Sequence, residues 1–554
     1  MQVKGKKIVS LRHLFPYVAG LLWLFFIIPD ATAVGTEVQP PERREPDRTM
    51  ATSKDKVFLE AANELEFNEL ITPDFQILRG DVRFRKDSMY MFCDSAYFYE
   101  KTNSLDAFGN VRMEQGDTLF IYGDELYYDG ETQLARIRHN VRMINRDVVL
   151  TTDSFNYDME INIGYYFNGG EVADTVNRLN SFYGQYSPDT KNAVFNYDVK
   201  LFNPQFTLYS DTLEYNTTTK VADILGPSVI VSDSNTIYSS LGFYNTAEDV
   251  AQLYNRSLIV SKSQKLTGDT IFYDRNNGFG EVFGHMVVDD TLRMMQMHGH
   301  YGFYNERREE SFATDSALMI DYSQPDTLYL HADTLESLKL NNIKRVLLAY
   351  HDVRIFRNDM QAICDSIIYK VEDSVLVMMD GPIMWNLDYQ IFGDTIKVYM
   401  NDSTIDWAHI PAFAFATQQK DTAFFDQLSG KDLKAYFTNG DITRVDVSGN
   451  VQTIFYPQES DMTFTGMNKA ETSFLTMYMK NRQMDKLKMW PTVDGTMTPI
   501  SKLKPDMIFL PDYKWYENYR PKNKADVFRE TRRPRSEIKK VRHTEEFFED
   551  EEDL

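Results

Sequence analysis

Three sets of side chains in this 554-residue sequence have the types and spacing to do chemistry. One is a carboxylate written twice in the same phrase: Asp124 in "YGDELYYDG" (122–130) and Asp269 in "TGDTIFYDR" (267–275). A positioned carboxylate can serve as a general acid or base. A second set is "MHGH" (297–300) with His285 upstream, residues of metal-ligand type. The third is a recurring tyrosine, whose ring could stack on a sugar. The histidines lack a Cys or carboxylate partner at ligand spacing, so they read as surface or strand residues, and no cofactor or metal is expected.

The carboxylate recurs too often for catalysis. With Asp124 as anchor, equivalent positions are Asp94, Asp153, Gly184, Asp211, Ser240, Asp269, His300, Asp333, Asp365 and Asp394, a mean period of 30 residues. Weaker copies follow near Asp432 and Asn468. One enzyme site needs one such group, so the anchors read as architecture. Three residues before the anchor the column is apolar: Met91, Ile121, Leu150, Leu208, Ile237, Leu266, Met297, Leu330, Ala362 and Ile391. Two after it stand Leu126, Phe155, Leu213, Ile271, Ile367 and Ile396, and four after it Phe98, Tyr128, Tyr157, Tyr215, Tyr244, Tyr273, Tyr304 and Tyr369. Such alternation marks strands with one buried face, so the tyrosines read as core. Buried positions change phase at the anchor, which requires a bulge or corner. Gly-Asp suits one, through glycine's dihedral freedom and the aspartate's bonds to nearby N–H groups.

A second phrase stands about fifteen residues earlier in each period: "GDVRF" (80–84), "GNVRM" (109–113), "HNVRM" (139–143), "HDVRI" (351–355) and "GNVQT" (449–453). Its Gly-Asn or Gly-Asp opens a turn, after which Val82 and Phe84 face one way and Arg83 the other. Val111, Met113, Val141, Met143, Val353 and Ile355 extend that apolar face. Each period is a rung that cannot bury its apolar face without neighbours. Eleven to thirteen rungs at about 4.8 Å would give a rod of roughly 50–60 Å. Cys93 and Cys364, the only two cysteines, share one column nine periods apart. At some 40 Å on that count they are too far apart for a disulfide.

Composition bounds the rest. The formal charge of -23 speaks against a nucleic-acid partner. Lys4, Lys6, Lys7 and Arg12, the apolar run 14–28 and Ala31-Thr32-Ala33 read as a cleaved signal peptide over residues 1–33. Removing it leaves a net charge of -26 and an exported protein starting near Val34. A linker (34–55) would follow, then a repeat region (56–330) and a more divergent one (331–500). A charged tail (501–554) is expected to be disordered. The intervals of 33 and 32 residues around 325–345 suggest a join between the two regions.

These turn-G-[DN]-V repeats with "GDELYYD"-like strands, in an exported all-β chain, resemble the OstA/LptA family of lipopolysaccharide-transport proteins, above all its longer Bacteroidetes-type OstA-like members. The resemblance covers residues 56–330 well and 340–480 more loosely. It implies an open β-jellyroll, or β-taco, of about 30-residue periods, in two consecutive segments. It also implies a periplasmic, non-enzymatic bridge or adaptor for outer-membrane assembly, whose apolar groove holds lipid A acyl chains. The groove would be lined by Val82, Phe84, Met91, Val111, Met113, Ile121, Leu126, Val141, Met143, Leu150, Leu208, Ile237 and Leu266. Implied partners are lipopolysaccharide, an outer-membrane translocon and other jellyroll transport proteins. The last would pair at an edge near Phe58–Phe67 or Asp446–Phe455. The chain is longer than bridge-type members, and only 54 residues follow position 500, too few for a terminal β-barrel. The alternatives from other classes are a right-handed β-helix that binds or degrades polysaccharide and an envelope scaffold filled by its own side chains.

Overall fold

The computed structural model describes residues 56–340, 344–401, 404–438, 441–459, 463–480 and 483–529. The expected signal peptide, the linker to residue 55 and the chain beyond 529 lie outside the described residues.

The repeat becomes structure as a hairpin. Strands Gln76–Lys86, Met89–Tyr99, Ser104–Gln115, Leu119–Asp129, Leu134–Asn145 and Val148–Asp158 each pair antiparallel with the next. Every pairing slips register once near mid-strand, as between Phe108 and Val111. Inward residues step by three across Asp94, from Cys93 to Ala96, and by four across Gly109-Asn110, from Ala107 to Val111. Each strand therefore bends at its middle into two arms, and its apolar face lines the inside of the bend. The phase change expected at the anchor is present.

The unusual dihedrals sit elsewhere than expected. Left-handed φ values occur in the second phrase, at Gly109 (76°) and Asn110 (47°). That phrase is the corner of a continuing strand, where a chain-reversing turn was expected. The anchor's glycine serves a different purpose, because a Cβ on Gly123 would lie 2.3 Å from Ile137 Cγ2, and one on Gly268 would lie 2.1 Å from Val282 Cγ1. Glycine is there for close approach between rungs. The anchor carboxylate reaches across to the corner residue of the next strand, Asp94 to Asn110 (2.8 Å), Asp124 to Asn140 (2.7 Å) and Asp269 to His285 (2.6 Å).

Among the described residues thirty-nine strands join one antiparallel ladder. In eleven rungs the two arms are separate short strands, such as Ile163–Tyr166 and Gly170–Ala173, so the ladder has 28 rungs. This corrects the expected eleven to thirteen. Thirty residues in extended conformation suffice for two bent strands and two reversals, so each period contributes two rungs. At about 4.8 Å per strand the ladder runs roughly 130 Å. Cys93 and Cys364 are correspondingly some 85 Å apart along it, both buried and not joined in a disulfide; burial pushes the Cys93 thiol up to about 12.

Leu328–Leu340 pairs with both Glu310–Asp321 and Lys344–Phe356, so strand pairing continues among the described residues around the expected join. Asp446–Phe455 lies in Asp441–Phe455, which is paired on both sides, so it is no edge. The terminal rungs are Phe58–Ala61 with Glu64–Glu66 at one end and Gln483–Thr498 at the other.

Residues 500–529 depart from the disorder expected of a charged tail. They form a strap over the outer face of the later rungs. Beneath it lie Ile363, Trp385, Phe392 and Phe415, with Leu510, Tyr513 and Tyr516 packed onto them. Three buried glutamines fix the strap's register. Gln427 donates to the Ile508 carbonyl and accepts from the Leu510 N–H (both 2.8 Å). Gln390 donates to the Lys514 carbonyl (2.8 Å) and accepts from the Tyr516 N–H (2.7 Å). Gln361 accepts from Arg520 Nε (2.8 Å). The aromatic content of 509–519 was the signal that net charge concealed.

Candidate functional site

The largest feature on which a function can rest is the interior of the bend. Twelve of the thirteen residues expected to line a groove are buried and belong to one continuous apolar cluster; Leu266 is half-buried against it. The cluster runs from Val57 to Leu475. Through the first rungs exposure falls to 0% at Phe84, Ile121, Leu150 and Leu208, so there the two arms are in contact through their own side chains.

What closes the arms is a series of polar bonds between the rim of turns that follows the tyrosines and the opposite rim. Lys86 Nζ donates to Gln133 Oε1 (2.8 Å), Arg275 reaches the Gln205 carbonyl (3.4 Å), and Asn235 Nδ2 donates to the Tyr273 hydroxyl (2.9 Å). The strongest of these bonds centre on Asp174, whose side chain is 0% exposed. It accepts from Tyr215 Oη (2.6 Å), Lys220 Nζ (2.8 Å) and the N–H groups of Val176 and Asn177 (both 2.8 Å). Asn177 Nδ2 donates in turn to Tyr215 Oη and Thr246 Oγ1. Burial alone would raise the Asp174 pKa, but the bonds from Lys220, Tyr215 and the backbone outweigh it and hold it below the ordinary range. Tyr215 is pushed up, by burial first and then by the carboxylate it donates to.

The tyrosines form one row: Tyr128, Tyr157, Tyr186, Tyr215 and Tyr244 are all buried. Tyr186 stands two residues after Gly184, so the true anchor of that rung is Phe182, at an even interval of 29 from Asp153 and Asp211. In this row the rings alternate with Ala135, Ala193, Ala222 and Ala251, which leaves each hydroxyl free to bond at the rims.

Beyond Phe279 the interior changes character. Val288, Met297 and Met319 are only half-buried, and the residues nearest the corner shrink to Gly299, Gly302, Ala313, Ala317 and Ala332. Of the histidines, His285 is bonded to Asp269 and lies edge-on to His300 at 5.3 Å, while His298 bonds Gln296. Among the described residues no three ligand-type side chains converge.

These bent, bulged strands match the family model described as "OstA-like protein" over residues 54–211 and 205–269. Residues 54–269 are OstA-like. The match thus spans the closed section, where the tyrosine row and the cross-rim bonds are most regular. The ladder carries the same geometry beyond the OstA-like stretch, through both the half-open section and the rungs beneath the strap. The structure of LptH, titled the LptA-homologous periplasmic component of the conserved lipopolysaccharide transport device from Pseudomonas aeruginosa, is also matched. That match covers 25% of this chain and 95% of LptH at 12% identity, with a TM-score of 0.20. A search of curated proteins finds no match.

Sequence reasoning missed the cross-rim bonds, because Asp174 and Asn177 fall in an irregular turn outside the aligned columns. It also missed the glutamine row, whose members are polar residues on an outward face. Of the anchor carboxylates it did locate, Asp94, Asp124 and Asp269 are bonded to corner residues of the next strand. Asp124→Ala is expected to lose one such bond, on the order of 1 kcal/mol or less. A melting curve should show a small downward shift; an unchanged melting midpoint would contradict the architectural role.

Proposed function

We propose that the protein is an envelope lipid carrier that holds lipopolysaccharide acyl chains in its apolar interior as a non-enzymatic bridge or adaptor in the periplasm. The observation that carries this reading is the single apolar cluster from Val57 to Leu475, inside strands of which 54–269 are OstA-like. Burial at about 25 cal/mol per Å2 makes several acyl chains sufficient for binding. Headgroup phosphates are repelled overall by a net charge of -23, so they are held outward, bridged where necessary by divalent cations. Nothing in the chain resembles a nucleotide site, so movement along the ladder is driven by a partner.

The two terminal rungs supply the docking surfaces. Among the described residues each is paired on one side only, and the other edge is a template for another strand. The apolar face continues onto both, with Leu59 half-buried and Leu65 55% exposed at one end and Leu487 41% and Met497 49% exposed at the other. A second jellyroll pairing there extends the interior, towards an outer-membrane translocon on one side.

The β-helix alternative is not supported, because that fold stacks parallel coils and every pairing here is antiparallel. A scaffold filled by its own side chains remains as a second reading, favoured by the 0% exposure at Phe84, Ile121, Leu150 and Leu208. The test between them is whether lipid is trapped from inside a strand and not from outside, at Leu208 against its outward neighbour Thr207.

A further inference from the structure

The tyrosine row has one gap. Four residues after the anchor Asp333 the rung carries Ser337, between rungs that carry Tyr304 and Tyr369. Its cross-strand neighbour Ser311 is small as well. Two serines thus face each other where a tyrosine and an alanine meet in the closed rungs, with Leu347 on the other side of Ser337, and all three are half-buried. The opposite arms of these two rungs supply Met319, half-buried against the core, and Leu330, which is buried.

The mouth of the gap is charged. Lys339 and Arg345 pair across adjacent strands on the same inward-facing register as Ser337. Both bind one carboxylate: Lys339 Nζ to Glu309 Oε1 (2.7 Å) and an Arg345 guanidinium nitrogen to Glu309 Oε2 (2.6 Å). Their side chains remain 27% and 26% exposed. Arg307 and Arg308 stand in the same turn as Glu309, with Glu306 and Glu310 beside them, in a protein whose overall charge is strongly negative. A small-residue gap into an apolar interior, with two cations sharing one carboxylate at its mouth, fits an amphiphile with an acyl chain and an anionic head.

We infer that the gap at Ser311 and Ser337 is a lateral port, through which the acyl chain of an anionic lipid enters the interior while Lys339 and Arg345 hold its headgroup. The inference rests on the lipid-carrying reading above and assigns the place of entry. The headgroup takes up hydrogen bonds that Glu309 now receives, and charge-assisted bonds of this kind are the stronger ones. The closed rungs, tied at both rims, do not admit a chain sideways.

The test uses the full chain with cis-parinaric acid, whose fluorescence rises in an apolar site, and with its neutral methyl ester. The unaltered protein is expected to take up both. Ser337→Tyr restores the missing ring, and overpacking the gap should weaken both probes by about tenfold. Lys339→Ala with Arg345→Ala should weaken the acid by about tenfold through lost charge-assisted bonds and leave the ester within about twofold. The paired variant carries the test if Ser337→Tyr melts early. Unchanged uptake of the acid by the paired variant, or equal weakening of acid and ester, overturns the port and leaves the lipid-carrying reading standing. No uptake of either probe by the unaltered chain overturns both.

Discussion

Replacing Asp174 with alanine is expected to cost about 3–5 kcal/mol, the scale for removing one partner of a buried ion pair. The variant leaves the Lys220 ammonium against the Tyr215 hydroxyl with no carboxylate between them, and it strips the acceptor from two backbone N–H groups. The effect should appear in denaturant melts as a lower midpoint. Asp174→Ala with Lys220→Met should recover part of the loss, because the stranded charge is gone. Acid should reproduce the effect in the unaltered protein. The Asp174 pKa is lowered in the fold from the ordinary 3.8, so its contribution is complete above that value and is lost as pH falls through the folded-state one. A loss below about 1 kcal/mol, or a variant whose acid melting matches the unaltered chain, would show that the rims are held by something else.

The strap yields the second large effect. Trp385 is 0% exposed between the sheet and the strap, and its indole Nε1 donates to Gln390 Oε1 (3.2 Å), the oxygen that also accepts from the Tyr516 N–H. Trp385→Ala removes a large packed side chain, at a cost of about 3–5 kcal/mol, and takes a donor from the glutamine that sets the strap's register. The strap should loosen as a consequence: limited proteolysis is expected to cut within 500–529 in the variant before it cuts the ladder. A variant with unchanged stability and a protected strap would remove the packing role assigned to Trp385.

The fold was legible where the sequence repeats. The apolar columns located the inward face, and twelve of the thirteen residues drawn from them are buried in one cluster. The count of rungs was misread because two strands of one hairpin bury different phrases of the same period. The anchor column marks one strand of each hairpin and "GNVRM"-like phrases mark the other. The role of the anchor's glycine was misread for a related reason. Gly123 and Gly109 look alike as letters, yet one avoids Ile137 and the other holds a left-handed φ. The closing bonds could not be read from columns at all. Asp174 and Lys220 are 46 residues apart and meet only because bent strands bring their two ends together. The gap in the tyrosine row was visible as Ser337, but its meaning depends on Ser311, Lys339 and Arg345 lying beside it in the ladder.

The central claim is that lipid travels inside the bend. Leu208 and Thr207 are adjacent in strand Phe206–Asn216, and their side chains point to opposite faces, Leu208 into the interior at 0% exposure. A photo-crosslinking residue at each position, in cells that make the protein from its full sequence, reports which face meets lipid. The account predicts a lipid adduct from position 208 and none from 207, identified by mass shift as an acylated species. Equal labelling at both positions, or adducts from 207 alone, would contradict it.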